Sequence, residues 1–170
     1  NYKKINHPFI PKFYGTIEYK NNDLSYPVIE FINGETLSDT DLSQFKETEI
    51  FEIIFQMLLV INYLHINHFI YRDLKPNNVM IDENKTLILI DFDRMVKDDY
   101  KYDKNEKTAD FQEQFQAPEI KQFNTDHEIN SNDITNKCDV YSLGKIIYYI
   151  INEDCDLNSK IELFQNYSEI

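Results

Sequence analysis

Short apolar runs alternate with polar turns over the first part of the chain. Phe9-Ile10, Phe13 to Tyr19 and Tyr26 to Ile32 are rich in aromatic and β-branched residues, with Asn21-Asn22-Asp23 between the last two and Asn33-Gly34 after them. Runs bounded by turn formers in this way predict short strands, the last two as a hairpin. The period then changes. Ile50, Ile53, Ile54, Met57, Leu58, Ile61 and Leu64 recur at three- and four-residue spacing with further apolar residues between them, which predicts a core helix over Ile50 to Ile66. Glu52, Gln56 and Asn62 interrupt that window, so it reads as too short and too polar to span a bilayer. Asn78 to Asp82 and Thr86 to Phe92 form a second predicted hairpin around Asp82-Glu83-Asn84-Lys85. From Arg94 to Gln116 the chain is charged and Gln-rich without apolar period, which predicts a mobile loop. A last helix is expected from about Val140 to Asn152, with Ile146, Ile147, Ile150 and Ile151 on one stripe. Strands and helices in this order make the fold class α+β.

Composition narrows the function classes. A chain of 170 residues has room for one domain or a piece of one, and 42% apolar with 14% aromatic residues is too core-rich for a disordered chain. The formal charge of −13 argues against nucleic acid as a partner, because phosphate-backbone contacts need a basic surface. Asn1 to Pro8 lack the apolar stretch of a secretory signal, and the lack of an initiating Met is read as a start inside a longer protein. Cys138 and Cys155 have no Cys-x-x-Cys spacing and no basic neighbourhood. Both are expected to be reduced, in a cytoplasmic protein with no membrane partner.

Chemistry concentrates in Tyr71-Arg72-Asp73-Leu74-Lys75-Pro76-Asn77-Asn78, which puts an acid, a base and an amide between a buried helix and a hairpin. The strand Leu87-Ile88-Leu89-Ile90 then delivers Asp91-Phe92-Asp93. If the hairpin folds back, Asp91 and Asn78 can share a hard cation, since Mg²⁺ takes carboxylate and amide oxygens and completes its shell with water and phosphate. Asp73 is then available as a base.

Four blocks in order resemble the eukaryotic protein kinase family: Tyr71 to Asn78 for the catalytic loop, Asp91-Phe92-Asp93 for the Asp-Phe-Gly motif, Ala117-Pro118-Glu119, and Asp139-Val140-Tyr141-Ser142-Leu143-Gly144 at the last helix. His7-Pro8-Phe9-Ile10 and Val28-Ile29-Glu30-Phe31 look like the segments leading to the hinge beside adenine, so the resemblance covers nearly the whole chain. It implies a kinase-like fold in which residues 1–33 are the end of the N-lobe and hinge, and residues 34–170 a portion of the C-lobe. The start of the N-lobe, with its Gly-rich loop, strand lysine and helix glutamate, and the final C-lobe helices would be missing. Lys75 after Asp73-Leu74 is the serine/threonine form. The implied function is transfer of the ATP γ-phosphoryl group to a Ser or Thr hydroxyl of a protein substrate, with ATP and Mg²⁺ as cofactors. Asp73 would take the hydroxyl proton, Lys75 neutralise the phosphoryl group, and Asn78 and Asp91 hold the metal beside the nucleotide. Ile29 resembles the gatekeeper, Glu30 and Ile32 would face adenine, and Met80 would lie under its ring. Arg72 would pair with a phosphate on the long loop, at Thr108.

Blander roles stand beside these. Arg72 and Asp73 make a simple surface ion pair, Asp139 an N-cap, His65 and His68 packing and surface residues, and Phe13, Tyr71 and Phe92 core aromatics; for Asp139 the resemblance also implies a role in orienting the catalytic loop, and the two roles are compatible. The chain also departs from the family: Asp93 stands for Gly, Tyr71 for His, and Phe111-Gln112 for the usual Gly-Thr. These departures keep a second reading open, a pseudokinase or truncated kinase-like module that binds partners without phosphoryl transfer.

Overall fold

The computed structural model describes residues 2–19, 24–100, 114–125 and 134–154. Strands β1 (Phe13–Tyr19) and β2 (Leu24–Ile29) pair antiparallel, Phe13 opposite Ile29 and Tyr19 opposite Leu24, as the predicted hairpin. Phe9 and Ile10 form a turn and bend rather than the expected strand, though the Phe9 carbonyl accepts the Leu89 N–H at 2.9 Å. β3 (Gly34–Thr36) follows at once and was not signalled by its three residues. It pairs with β5 (Val79–Asp82), which pairs in turn with β6 (Leu87–Leu89), giving a three-stranded antiparallel sheet in the order β3-β5-β6. The β5–β6 turn is held by Asp82, whose Oδ1 accepts the N–H groups of Asn84 at 2.9 Å and Thr86 at 2.7 Å.

Gly34 is needed for contact rather than for dihedral freedom. A Cβ there would meet the Ile81 carbonyl oxygen at 2.2 Å, across the β3–β5 ladder. Gly34→Ala is expected to destabilise by about 1–3 kcal/mol through forced strand separation; a urea midpoint equal to the parent's would refute this.

Helix α1 (Glu47–Ile66) is 20 residues long, three longer at its start than the apolar window. Acidic Glu47 and Glu49 favour the helix N-terminus, and Glu49 Oε2 accepts the Lys46 N–H at 2.7 Å. At this length the helix is long and apolar enough to cross a membrane by composition alone, which corrects the expectation from the shorter window. Its Ile53, Met57, Val60 and Leu64 are nonetheless fully buried against protein, packed with Leu89 and with Ile146 and Ile150 of the last helix. The helix ends at Ile66, and two residues on His68 takes the left-handed backbone (φ 62°) more often given to glycine.

The segment predicted as a mobile loop is ordered at its start: β7 (Val96–Lys97) pairs with the two-residue β4 (Phe69–Ile70). Thr108, Phe111, Gln112 and most of the charge run lie outside the described residues. Helix α2 (Pro118–Thr125) opens on Ala117-Pro118-Glu119, and α3 (Lys137–Asp154) is the predicted last helix. In α3, Leu143, Ile146 and Ile150 turn into the core, whereas Ile147 and Ile151 are only half-buried.

Candidate active site

The loop from Tyr71 to Asn78 is anchored from below by Asp139, in the first turn of α3. Asp139 is fully buried; its Oδ2 accepts the Tyr71 N–H at 2.8 Å and its Oδ1 the Arg72 N–H at 2.7 Å. His65 Nε2, at the end of α1, lies 2.8 Å from the same Oδ2. Two consecutive N–H groups aimed at one carboxylate hold Arg72 in the left-handed region (φ 71°), a conformation that costs a side-chain-bearing residue about 1–2 kcal/mol. Charge-assisted bonds of this kind are strong enough to offset it. Asp139 is therefore a loop anchor and not the N-cap of the last helix, which begins two residues before it.

Asp73 is 7% exposed and its two oxygens have different surroundings. Oδ2 receives Lys75 Nζ at 2.9 Å and Asn78 Nδ2 at 2.9 Å. Oδ1 accepts no hydrogen bond among the described residues and faces Arg94 Nη1 at 3.8 Å. The Asn78 amide also donates to the Asp73 carbonyl at 2.9 Å. With its nitrogen committed twice to Asp73, Asn78 keeps its side-chain oxygen as the atom a cation could take. Arg72 does not pair with Asp73, which corrects the surface-pair reading: its Nε donates to the Arg94 carbonyl at 2.6 Å.

The hairpin does fold back. The Asn78 carbonyl accepts the Ile90 N–H at 2.9 Å, so the loop that carries Asp73 is bonded to the strand end that precedes Asp91. From the other side the Tyr71 hydroxyl donates to the Ile90 carbonyl, and its ring meets Phe92 edge-on at 5.5 Å. Burial, then the charges of Asp73, Asp91 and Asp139, push the Tyr71 phenol far above its ordinary range, so it stays a proton donor in that bond. Asp91 is exposed with φ 59°, and the Asp93 N–H reaches its Oδ1 at 3.4 Å. Asp91 thus lies at the surface, one residue past the backbone bond that ties Ile90 to Asn78, and both side chains carry the oxygen atoms that Mg²⁺ takes. No cluster of three or more His, Cys, Asp or Glu side chains suited to a metal occurs among the described residues.

Met80, half-buried in β5, is two residues past Asn78 and pairs with Ile88. Ile29 ends β2, partly exposed. The Glu30 N–H is committed to the Lys12 carbonyl at 2.8 Å, and its side chain accepts the Lys12 N–H at 3.0 Å. Glu30 and Ile32 line a cavity of about 620 Å³ with His7, Asp82 and Ile88, whose wall includes none of Asp73, Lys75, Asn78, Met80 or Asp91. The structure therefore bonds the loop to the strand end that precedes Asp91, and the cavity of Glu30 and Ile32 reaches Ile88, the β6 partner of Met80. Cys138 is free and buried, and burial holds its thiol high, so it is no nucleophile; Cys155 lies outside the described residues.

Two contributors escape the sequence reading. His65 shows only as the last basic residue of an apolar helix, with nothing to mark a partner in α3. Arg94 is one charge in a charged segment; its closeness to the Asp-Phe-Asp block is its only signal.

Comparison with known proteins agrees with this arrangement. The chain is 32% identical over 157 residues to a protein of Acanthamoeba polyphaga mimivirus named as a serine/threonine-protein kinase, with 88% of this chain and 54% of that protein covered. It is 31% identical to the serine/threonine-protein kinase SIK2 of Gallus gallus over 88% of this chain and 18% of the relative. Against the calcium-dependent protein kinase 6 of Plasmodium berghei it is 32% identical over 95% of this chain and 10% of the relative. The chain spans about half the length of the mimivirus protein and less of the other two. The family described as protein kinase domain matches residues 1–169. With that match over the loop and the Asp-Phe-Asp block just described, the chain belongs to the protein kinase family.

Proposed function

We propose that the protein containing this chain transfers the γ-phosphoryl group of ATP to a Ser or Thr hydroxyl of a protein substrate. The observation that carries the reading is the asymmetry of Asp73. One oxygen is clamped by Lys75 and Asn78, and the other is left without a hydrogen bond among the described residues, open to a substrate hydroxyl. Phosphoryl transfer asks little covalent chemistry of the protein, so a positioned base and fixed charge are the main requirements. Lys75, holding Oδ2, stands beside the transferring group; the Asn78 oxygen and the Asp91 carboxylate would hold Mg²⁺, which supplies neutralisation of phosphate charge when bound. Met80 would underlie the adenine, with Ile29 and the backbone of Glu30 and Ile32 at its edge, a reading supported by the cavity of Glu30 and Ile32 reaching Ile88, the β6 partner of Met80. Of Glu30's backbone groups the carbonyl remains for that contact, since its N–H is engaged. A cytoplasmic setting accords with the cysteine usage, and nothing in the acidic composition suits nucleic acid.

The pseudokinase reading draws on Asp93, whose side chain is exposed where the family has Gly. A thermal scan of the intact protein separates the two. Mg-ATP at about 100 times its dissociation constant should stabilise by about 2.7 kcal/mol, raising the midpoint by roughly 5–11 °C for a domain of this size. Asp91→Ala should remove that rise in magnesium buffer. An intact protein whose midpoint Mg-ATP leaves in place is not an ATP-dependent kinase.

A further inference from the structure

We propose that a groove between the β2–β3 connection and the β5–β6 turn binds an extended segment of a partner protein that carries Lys or Arg side chains beside apolar anchors. Two cavities make the groove. The cavity of about 620 Å³ already described and a second of about 480 Å³ share Asn33, Asp82 and Glu83 on their walls, so they adjoin. Each falls within the usual size of ligand pockets, about 300–1,000 Å³. Neither wall includes Asp73, Lys75, Asn78, Met80 or Asp91, so binding there needs no phosphoryl transfer. Apolar contact is on offer at both ends. Phe31, on the wall of the first cavity, is 88% exposed, more than any other large apolar side chain among the described residues, and Phe45 borders the second. An exposed aromatic beside a cavity is the kind of residue that anchors a protein partner.

The charge of the groove selects the occupant. Glu30 lines the first cavity, Glu35 and Asp41 the second, and Asp82 and Glu83 both, whereas Lys12 is the one Lys or Arg on either wall. Acids elsewhere are matched: Glu49 meets Lys85 at 2.7 Å, Asp73 meets Lys75 at 2.9 Å, and Asp98 meets His68 at 2.8 Å. None of the five groove carboxylates has an ion-pair partner among the described residues. Three of them are held by one oxygen while the other is open. Glu30 Oε2 accepts the Lys12 N–H at 3.0 Å, Glu83 Oε2 accepts the Asn33 amide at 3.1 Å, and Asp82 Oδ1 accepts the N–H groups of Asn84 and Thr86. Their second oxygens accept no hydrogen bond among the described residues. Acceptors fixed in advance lose little freedom when a ligand arrives, and a carboxylate makes its strongest hydrogen bonds to an ammonium or guanidinium. Like charge repels an acidic or phosphorylated segment from the same surface.

The test titrates the intact protein into a labelled peptide, Lys-Arg-Lys-Gly-Leu-Ser-Leu, followed by fluorescence anisotropy. One counterpart carries Glu for each basic residue and another Ser for each Leu. The parent peptide should bind in the micromolar range and weaken as salt rises, since surface charges are screened over about 10 Å at 0.1 M. The acidic counterpart should not bind, and the Ser counterpart should bind about tenfold more weakly for want of apolar burial. Glu35→Lys with Glu83→Lys should weaken the parent peptide about tenfold or more. Glu18→Lys with Glu52→Lys makes the same change in net charge at exposed residues outside the groove, and should weaken it less than about threefold. Should the groove pair melt more than about 5 °C below the parent, Glu35→Lys alone, at an exposed strand position, decides. Absence of binding, equal binding of the acidic or the Ser counterpart, or equal loss in the two double variants would overturn the proposal, the last because it marks general attraction to an acidic protein. Peptide binding by a protein whose midpoint Mg-ATP leaves in place would uphold the groove and defeat the phosphoryl-transfer reading alone.

Discussion

Asp73→Asn is expected to lower kcat for phosphorylation of a protein substrate by about 10²- to 10⁴-fold, the span that a positioned base contributes. The substitution removes the proton acceptor and little else. Asn has the shape of Asp and retains one carbonyl oxygen, so the Asn78 amide keeps an acceptor where Oδ2 stood. Lys75 loses a charge partner but keeps that carbonyl oxygen as a hydrogen-bond acceptor. Affinity for Mg-ATP, read by thermal shift, should therefore persist while turnover collapses. An Asp73→Asn variant that phosphorylates its substrate within a factor of about three of the parent would remove Asp73 from the reaction, since a positioned base is worth far more than that.

Asp139→Ala is expected to cost about 3–5 kcal/mol of folding stability, the scale for stripping a buried charged acceptor from its partners. Nothing else near the loop replaces it. The buried N–H of Tyr71 and the partly buried N–H of Arg72 would lose their acceptor, and His65 its partner. For a chain of this length that loss lowers the melting midpoint by roughly 6–20 °C. The left-handed backbone at Arg72 would also relax, moving Asp73 off Asn78, so a variant rescued by low temperature should still turn over slowly. Asp139→Asn keeps one acceptor oxygen and should lose about half as much. A urea midpoint for Asp139→Ala close to the parent's would show that the loop is held by other means.

Much of the site was legible because its chemistry is local. Asp73, Lys75 and Asn78 lie within one short loop, and a 3₁₀ turn over Pro76–Asn78 folds the amide back on the acid without help from afar. The hairpin partner Asp91 was legible because Asp82 to Lys85 carries its own turn chemistry and so sets the register of Val79 opposite Leu89. Glu30 and Ile32 were legible only through resemblance, since nothing in a short apolar run marks a contact with a ligand; they line a cavity with His7, Asp82 and Ile88. The short strands β3, β4 and β7 were not legible at all. Two or three residues have no period, and each owes its conformation to a partner strand far along the chain.

By itself the amino-acid order determined the α1 and α3 helices, the two hairpins and the acid, base and amide of the loop, since periodicity, turn formers and nearest-neighbour bonds act over a few residues. Tertiary structure alone decided which N–H groups Asp139 of α3 would hold, those of Tyr71 and Arg72, that His65 would join it, and that Arg94 would come to rest beside the open oxygen of Asp73. Those contacts join groups distant along the chain, so they form only when the packed core brings them within reach; buried charge, which must find a partner or pay for desolvation, then selects which of them persist.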